Sequence, residues 1–313
     1  MPCWSTFRTV FSAITAAVIA AGCAFPETTE HSGPDLSVLT LNLHVYQELQ
    51  TADTPEHALT AAAARQRIDA YSPILDRIAA GIVELDPDII CFQEIGEWAG
   101  ASRGEPDLIE FGATDTNMVH QILARLPGQQ YHVTMDWSHY GYNVWLEGSA
   151  VLSKYPLLAT DSRFVSDAAT NPLESWKARN VPMAKIDAPR TGPIRVFSIH
   201  TGWWDDPEEP FQEQYRRLLA WADESPWPPS TTILCGDFNV AAGTPMYEYL
   251  FDDTGYADQY LLANPGGMLD ATAGAGIDGW EESEHGRRID YILMNDDSPL
   301  EVTRSRRVFT EGY

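Results

Sequence analysis

Thr231-Thr232-Ile233-Leu234-Cys235-Gly236-Asp237-Phe238-Asn239 is an apolar run that ends on a glycine, an acid and an amide. Apolar and β-branched residues without helical spacing read as a buried strand, so the polar residues sit at its C-terminal end. The same form recurs elsewhere. Leu36-Ser37-Val38-Leu39-Thr40-Leu41 runs into Asn42, Ile89-Ile90-Cys91-Phe92-Gln93 into Glu94, and Val196-Phe197-Ser198-Ile199 into His200. Strands of similar direction would bring Asn42, Glu94, His200, Asp237 and Asn239 onto one rim of a sheet, where sites of α/β proteins lie. Asp290 instead opens its run, Arg287-Arg288-Ile289-Asp290-Tyr291-Ile292-Leu293, and an antiparallel strand would carry that opening to the same rim.

Helices separate these strands. Ile74, Leu75, Ile78, Ile82 and Leu85 recur at helical spacing until Asp86-Pro87 stops them, and further helices are expected over residues 118–126 and 211–222. The remaining strands are expected at 131–135, 149–153, 181–186, 194–199 and 289–294, with a last one starting near Arg306. Residues 35–313 contain no internal repeat or linker, which favours a single α/β domain. Segments 97–114, 136–148, 202–210 and 264–288, rich in Trp, Gly and acid, read as long loops, the usual carriers of function.

The 313 residues hold 45 acidic and 20 basic side chains, a net charge of −25, with 44% hydrophobic content. Such a chain is globular rather than disordered. Its charge repels a polyphosphate backbone, so nucleic acid is disfavoured as a partner, whereas a small phosphorylated substrate at one metal-filled point is not. The first 23 residues read as an export leader: Arg8 gives the positive start, residues 9–21 a short apolar stretch, and Ala20-Ala21-Gly22-Cys23 a lipobox-like end. A lipid on Cys23 would tether an exported, cell-surface lipoprotein through the polar linker 24–34; ordinary secretory cleavage near Ala24 and an uncleaved anchor are the other readings. Cys91 and Cys235 sit inside apolar runs and read as buried free thiols, with a disulfide open only to adjacent strands. A monomer is expected.

Hard oxygen donors such as Glu94, Asp290 and the Asn42 amide suit Mg²⁺, Mn²⁺ or Ca²⁺, whereas Cys/His spacing for a structural zinc is absent. The sequence also lacks a Walker loop, a nucleophile elbow and a reactive Cys beside a base. What remains is metal-assisted attack of water on phosphorus.

Thr40-Leu41-Asn42, Phe92-Gln93-Glu94, Gly148-Ser149-Ala150-Val151-Leu152-Ser153-Lys154, Ser198-Ile199-His200, Cys235-Gly236-Asp237-Phe238-Asn239 and Arg288-Ile289-Asp290-Tyr291 together resemble the ordered signature of the endonuclease/exonuclease/phosphatase superfamily. The resemblance implies a four-layer α/β sandwich, two packed mixed β-sheets flanked by helices, and a phosphoesterase using Mg²⁺ or Mn²⁺. Carried over, Glu94 is the principal metal ligand, with Asn42 and Asp290 in or near its shell. Asp237 activates the attacking water, Asn239 holds phosphate and nucleophile in line, and His200 donates to a phosphate oxygen. Arg179 is a candidate phosphate clamp. The surroundings of Trp137, Trp176 and Trp203 are similar to the bacterial branch that includes maltose 6'-phosphate phosphatase, which implies a sugar phosphate; the export leader fits a cytosolic sugar phosphate poorly and leaves a phospholipid head group as the other reading. Trp203 and Trp204 are expected as pocket wall, His139 and Tyr142 as substrate contacts, Glu208 and Glu209 as surface charge, and His285 as solvated.

Relatives usually finish with Ser-Asp-His after a strand like Arg306-Arg307-Val308-Phe309, and this sequence stops at Tyr313 without it. The expectation is a piece lacking that segment; the other reading is a member that has lost the His and binds without catalysing. A secreted nuclease of the same fold would need a basic groove that the charge makes hard to build.

Overall fold

The computed structural model describes residues 3–9, 36–47, 60–100, 115–128, 130–167, 173–189, 191–203, 205, 207–224, 231–275 and 284–309. In chain order these form β1 (Cys3–Thr9), β2 (Leu36–Asn42), a 3-10 turn (His44–Tyr46), α1 (Ala61–Leu85), β3 (Ile89–Trp98), α2 (Met118–Leu123), β4 (His132–Gly141), β5 (Trp145–Ser153) and β6 (Leu157–Phe164). There follow β7 (Asn180–Ala188), β8 (Gly192–His200), α3 (Phe211–Asp223), β9 (Thr231–Asp237), α4 (Pro245–Tyr249), β10 (Tyr256–Asp258), α5 (Gln259–Ala263), β11 (Asp290–Asn295) and β12 (Leu300–Arg307).

Among the described residues the strands make two six-stranded sheets, ordered β12-β1-β2-β3-β5-β4 and β10-β11-β9-β8-β7-β6. Each has one parallel pair at its centre, β2 with β3 and β8 with β9, and antiparallel neighbours around it. The two faces of each strand go to different layers because side chains alternate at period two. Leu36, Val38, Ile89, Cys91 and Val151 from the first sheet meet Ile194, Val196, Ile233, Cys235 and Ile292 from the second in one core. The alternate residues Leu39, Leu41, Ile90, Phe92, Ala150 and Leu152 pack under Ile68, Tyr71, Leu75 and Ile82 of α1 and Ile122 of α2. On the other side Phe197, Ile199, Leu234 and Leu293 pack under Phe211, Tyr215, Leu218 and Ala222 of α3. The result is the expected four-layer α/β sandwich.

Boundaries differ from the sequence reading where periodicity was weak. Helix α1 begins at Ala61, capped by the Thr60 hydroxyl accepting from Ala63 N, and runs through Pro73 to a left-handed Asp86. Segment 136–148 is mostly strand, since β4 and β5 pair down to Gly141 and Trp145. The last strand ends rather than starts near Arg306. Residues 3–9 of the segment read as a leader run as β1 between β12 and β2. The rest of that segment and the linker, residues 10–34 with Cys23, lie outside the described residues, as does Trp204.

Cys91 and Cys235 are free, buried and on facing sheets. Burial and the neighbouring Cys91 thiol push the Cys235 thiol well up.

Candidate active site

The layer between the sheets changes character along the strands. It is apolar where Leu36, Val38, Ile194 and Ile233 meet. Further along it becomes a polar ladder: Thr40 Oγ1 donates to Gln93 Oε1 (3.0 Å), Gln93 Nε2 to Ser198 Oγ (2.9 Å), and Ser198 Oγ to Phe92 O (2.9 Å). Beyond it, on the same faces by alternation, come Asn42 two residues after Thr40, His200 two after Ser198, Asp237 two after Cys235, and, on the antiparallel β5, Glu147 two before Ser149. Antiparallel pairing of β11 sets Asp290 directly opposite Asp237, and parallel pairing of β8 sets His200 opposite Asp237. The rim inferred from the sequence is thus the polar end of the inter-sheet layer.

Glu94 and Asn239 reach this rim by backbone conformation rather than by alternation. Glu94 lies two residues after Phe92 and by alternation would point to the helix layer, but the β3–β5 register shifts between Phe92 and Ile95, and Glu94 takes φ +47. Such a bulge re-aims a side chain at a cost of about 1–3 kcal/mol for a non-glycine residue at positive φ. Asn239 takes φ +52 within a turn in which its N–H donates to Asp237 Oδ1 (2.8 Å) and its Nδ2 to Thr201 O (2.9 Å). Gly236 is required by close packing: a Cβ there would lie 2.0 Å from Ile199 O on β8.

Asn42 Nδ2 joins the sheets, donating to Glu94 Oε1 (2.8 Å) and Asp237 Oδ2 (3.1 Å), while its amide oxygen accepts from His44 N (2.9 Å). His200 Nε2 lies 3.6 Å from Glu94 Oε1, and its Nδ1 3.8 Å from Glu147 Oε1. One ligand atom each from Glu94, Glu147 and His200 falls within 4.8 Å of the others. These separations exceed hydrogen bonds and suit donors converging on one cation. Glu147 was absent from the sequence-derived site, although it alternates in phase with Ser149 and Val151. The segment containing it was read as loop.

The electrostatics match the geometry. Burial, then the Glu94 charge, raises the Glu147 carboxyl to about 8, with Arg179 acting the other way. Burial and Asp290 push Asp237 well above the usual carboxylate range, against the donors Asn239 N and Asn42 Nδ2. Asp290 is likewise raised by burial, and its Oδ1 meets no hydrogen-bond donor among the described residues. Burial and Arg179 hold His200 well below its ordinary value. Several buried carboxylates beside neutral imidazoles form a site whose charge calls for a cation.

Arg179 is buried, donates from Nη1 to Trp176 O and Ala178 O (2.9 Å each), and has Glu147, Glu94 and Asp237 as charged neighbours. His139 is also buried, between Ala178 O (3.1 Å) and Glu147 Oε1 (3.5 Å), with its pKa lowered by burial to about 3. It supports Glu147 from behind. Tyr142 is exposed, its hydroxyl 3.5 Å from His44 Nε2. Trp203 is half-buried beside Trp176. Glu209 is not surface charge: it is buried, accepts from Asp167 N and from Gln214 Nε2 (3.2 Å), and Gln214 Oε1 in turn accepts from Gly202 N. This chain of bonds fixes the loop that follows His200.

The model of the Endonuclease/Exonuclease/phosphatase family matches residues 50–310, most of the chain. The chain belongs to this family. Members of the endonuclease/exonuclease/phosphatase family are hydrolases, some of them phosphatases, and generally use divalent metals. Among solved structures, a family protein from Leptotrichia buccalis is similar at 22% identity, TM-score 0.64, covering 83% of this chain and 88% of that one. A mannosyl-6-phosphatase from Bacteroides thetaiotaomicron is similar at 18% identity, TM-score 0.50, covering 83% and 85%. Identities this low speak for the fold alone. No curated protein matches the chain.

Proposed function

We propose that this endonuclease/exonuclease/phosphatase protein is an exported, divalent-metal-dependent phosphoesterase that hydrolyses a small phosphate ester by in-line attack of water. The observation that carries the reading is the convergence of Glu94, Glu147 and His200 next to Asp237 and Asn239. Two carboxylates and a neutral imidazole fit Mg²⁺ or Mn²⁺, the nitrogen leaning toward Mn²⁺. When bound, such a cation supplies charge neutralisation for the phosphoryl oxygens. Asp237, raised by burial, is a stronger base than an ordinary carboxylate and takes the proton of the attacking water. Asn42 and the Asn239 amide hold that carboxylate, so its orientation is set before substrate arrives. His200, kept neutral, presents its Nε2 edge beside Glu94, where it joins the cation's donors or gives a hydrogen bond to a phosphoryl oxygen. Arg179 adds fixed positive charge behind the phosphate.

The Glu147 value sets a pH test. A carboxyl raised to about 8 must lose its proton before it can ligate, so cation affinity climbs with pH up to about 8 and levels off above it. In the cation-free protein the sign is opposite. The contribution of Glu147 to stability is full below its unfolded value of about 4.3, where both states hold the proton, and is lost as pH rises from there through about 8. The increase in melting temperature on adding Mn²⁺ is therefore expected to be larger at pH 8.5 than at pH 6, and Glu147→Gln should remove that difference. Equal increases at both pH values would take Glu147 out of the site. Hydrolysis of sugar phosphates or phosphocholine should stop with EDTA and return with Mg²⁺ or Mn²⁺; plasmid nicking without ester hydrolysis would favour a nuclease.

A further inference from the structure

Cys91 on β3 and Cys235 on β9 belong to different sheets yet meet in the layer between them. Both are fully buried, in one apolar cluster with Val38, Ile89, Val151, Ile233 and Ile292. Two strands fix Cys235 over that point. Cys91 pairs in register with Thr40 of β2, and Cys235 has both the Cys91 thiol and the Thr40 hydroxyl as hydrogen-bond partners. Stacked sheets ordinarily lie about 10 Å apart, whereas Cα atoms of β3 and β9 come within 8 Å of each other. The buried side chains at this level, Thr40, Cys91, Ser198 and Cys235, are small enough to let the sheets close in. A metal is not what the thiols await: among the described residues neither belongs to a group of three side chains able to hold one.

We propose that Cys91 and Cys235 form a disulfide between the two sheets when the chain folds in an oxidising compartment. The inference rests on the export half of the proposed function; the hydrolytic half does not enter it. The exchange balances: the two thiols give up two protons and two electrons to the disulfide of an external thiol oxidant, one S–S bond forms, and the oxidant leaves as two thiols. One Cys thiolate attacks the oxidant's sulfur, and the other displaces the remaining half from the mixed disulfide so made. The oxidant reaches these sulfurs only before the sheets close, because neither is exposed afterwards and burial keeps the Cys235 thiol protonated. The bond is therefore made during folding and, once made, is shielded from reductants. A bridge spans roughly 4.4–6.8 Å between Cα atoms, a separation that strands this close can reach and sheets at the ordinary spacing cannot. Immunoglobulin-type sandwiches carry such a bridge across their core. Here it closes a loop of roughly 140 residues, which restricts the unfolded chain.

The test refolds the denatured full chain in oxidised glutathione and, separately, in dithiothreitol, unfolds each product in the presence of a maleimide, and maps its peptides by mass spectrometry. The first product is expected to yield a linked pair of peptides carrying Cys91 and Cys235, neither labelled; the second should have both labelled. The bridged form should melt at least about 5 °C above the thiol form. Cys91→Ala and Cys235→Ala, each a small apolar replacement, should melt alike after either refolding. Labelling of both cysteines after refolding in oxidised glutathione would overturn the proposal, and so would a bridge from either one to Cys3 or Cys23 in its place. A bridged form that melts no higher than the thiol form would overturn it as well. Export is read separately, by fractionating a bacterial host that expresses the chain with its leader. Exported protein with both thiols labelled counts against the bridge. If the bridge forms on refolding while the expressed chain stays in the cytosol, the disulfide site stands and the export reading falls.

Discussion

Glu94→Ala is expected to lower hydrolytic turnover at least about a hundredfold while the protein stays folded. Glu94 is turned into the site by a positive-φ bulge, accepts from Asn42, and lies within reach of Glu147 and His200. Its loss removes one of the two carboxylates that draw a cation to this point. The fold survives because Glu94 supports no apolar packing and its charge opposes Glu147 and Asp237. Relief of that repulsion offsets the lost bond to Asn42. Asp237→Ala should cost a comparable factor with a different signature: raising the Mn²⁺ concentration recovers part of the Glu94→Ala loss and none of the Asp237→Ala loss. Steady-state kinetics over a metal titration, alongside a circular-dichroism melt, separates the two. Unchanged turnover in both variants would remove the site from consideration.

The largest expected effect on stability lies outside the site, at Arg288. Its side chain is fully buried, with Nη1 2.7 Å from Asp258 Oδ2, Nη2 3.3 Å from the Tyr247 hydroxyl and Nε 3.2 Å from Met268 O. The guanidinium also lies 4.8 Å from the centre of the Tyr291 ring and 5.5 Å from those of Tyr247 and Tyr260. Asp258 meanwhile caps α5 by accepting from Tyr260 N (2.9 Å) and Leu261 N (3.3 Å). Arg288→Met would leave that carboxylate buried beside a methylene chain, and breaking a buried pair from one side costs about 3–5 kcal/mol. In a domain of this size each kcal/mol lowers the melting temperature by roughly 2–4 °C. Adding Asp258→Asn should return part of the loss, since the amide keeps a cap without the uncompensated charge. A double variant no better than the single one would place the energy in the three ring contacts.

Much of this arrangement was legible because the strands obey a strict alternation. β2 has the bounds its pattern predicts, Leu36–Asn42, and the polar ends of β2, β8 and β9 fall where their apolar runs stop. Glu94 was found from its position after an apolar run, yet nothing in the residue types announces the bulge that aims it. A positive φ is decided by tertiary pairing with β5. Glu147 escaped because Tyr140, Gly141 and Tyr142 resemble loop sequence, although β5 is buried along its whole length. β6 escaped for the opposite reason: as an edge strand it is largely exposed, and Leu157-Leu158-Ala159-Thr160-Asp161-Ser162-Arg163-Phe164 carries no buried face to betray it. Glu209 looked like solvated charge because a sequence does not reveal that Gln214 and Asp167 close over it.

One sheet contributes Asn42, Glu94 and Glu147 to the rim, and the other contributes His200, Asp237, Asn239 and Asp290. Among the described residues, the Asn42 amide alone bonds carboxylates of both halves at that rim. Turnover therefore works as a strain gauge for the sandwich: a slip of about 1 Å between its halves is enough to cost a hundredfold. On heating or in denaturant, activity is expected to fade before the circular-dichroism signal of the strands does.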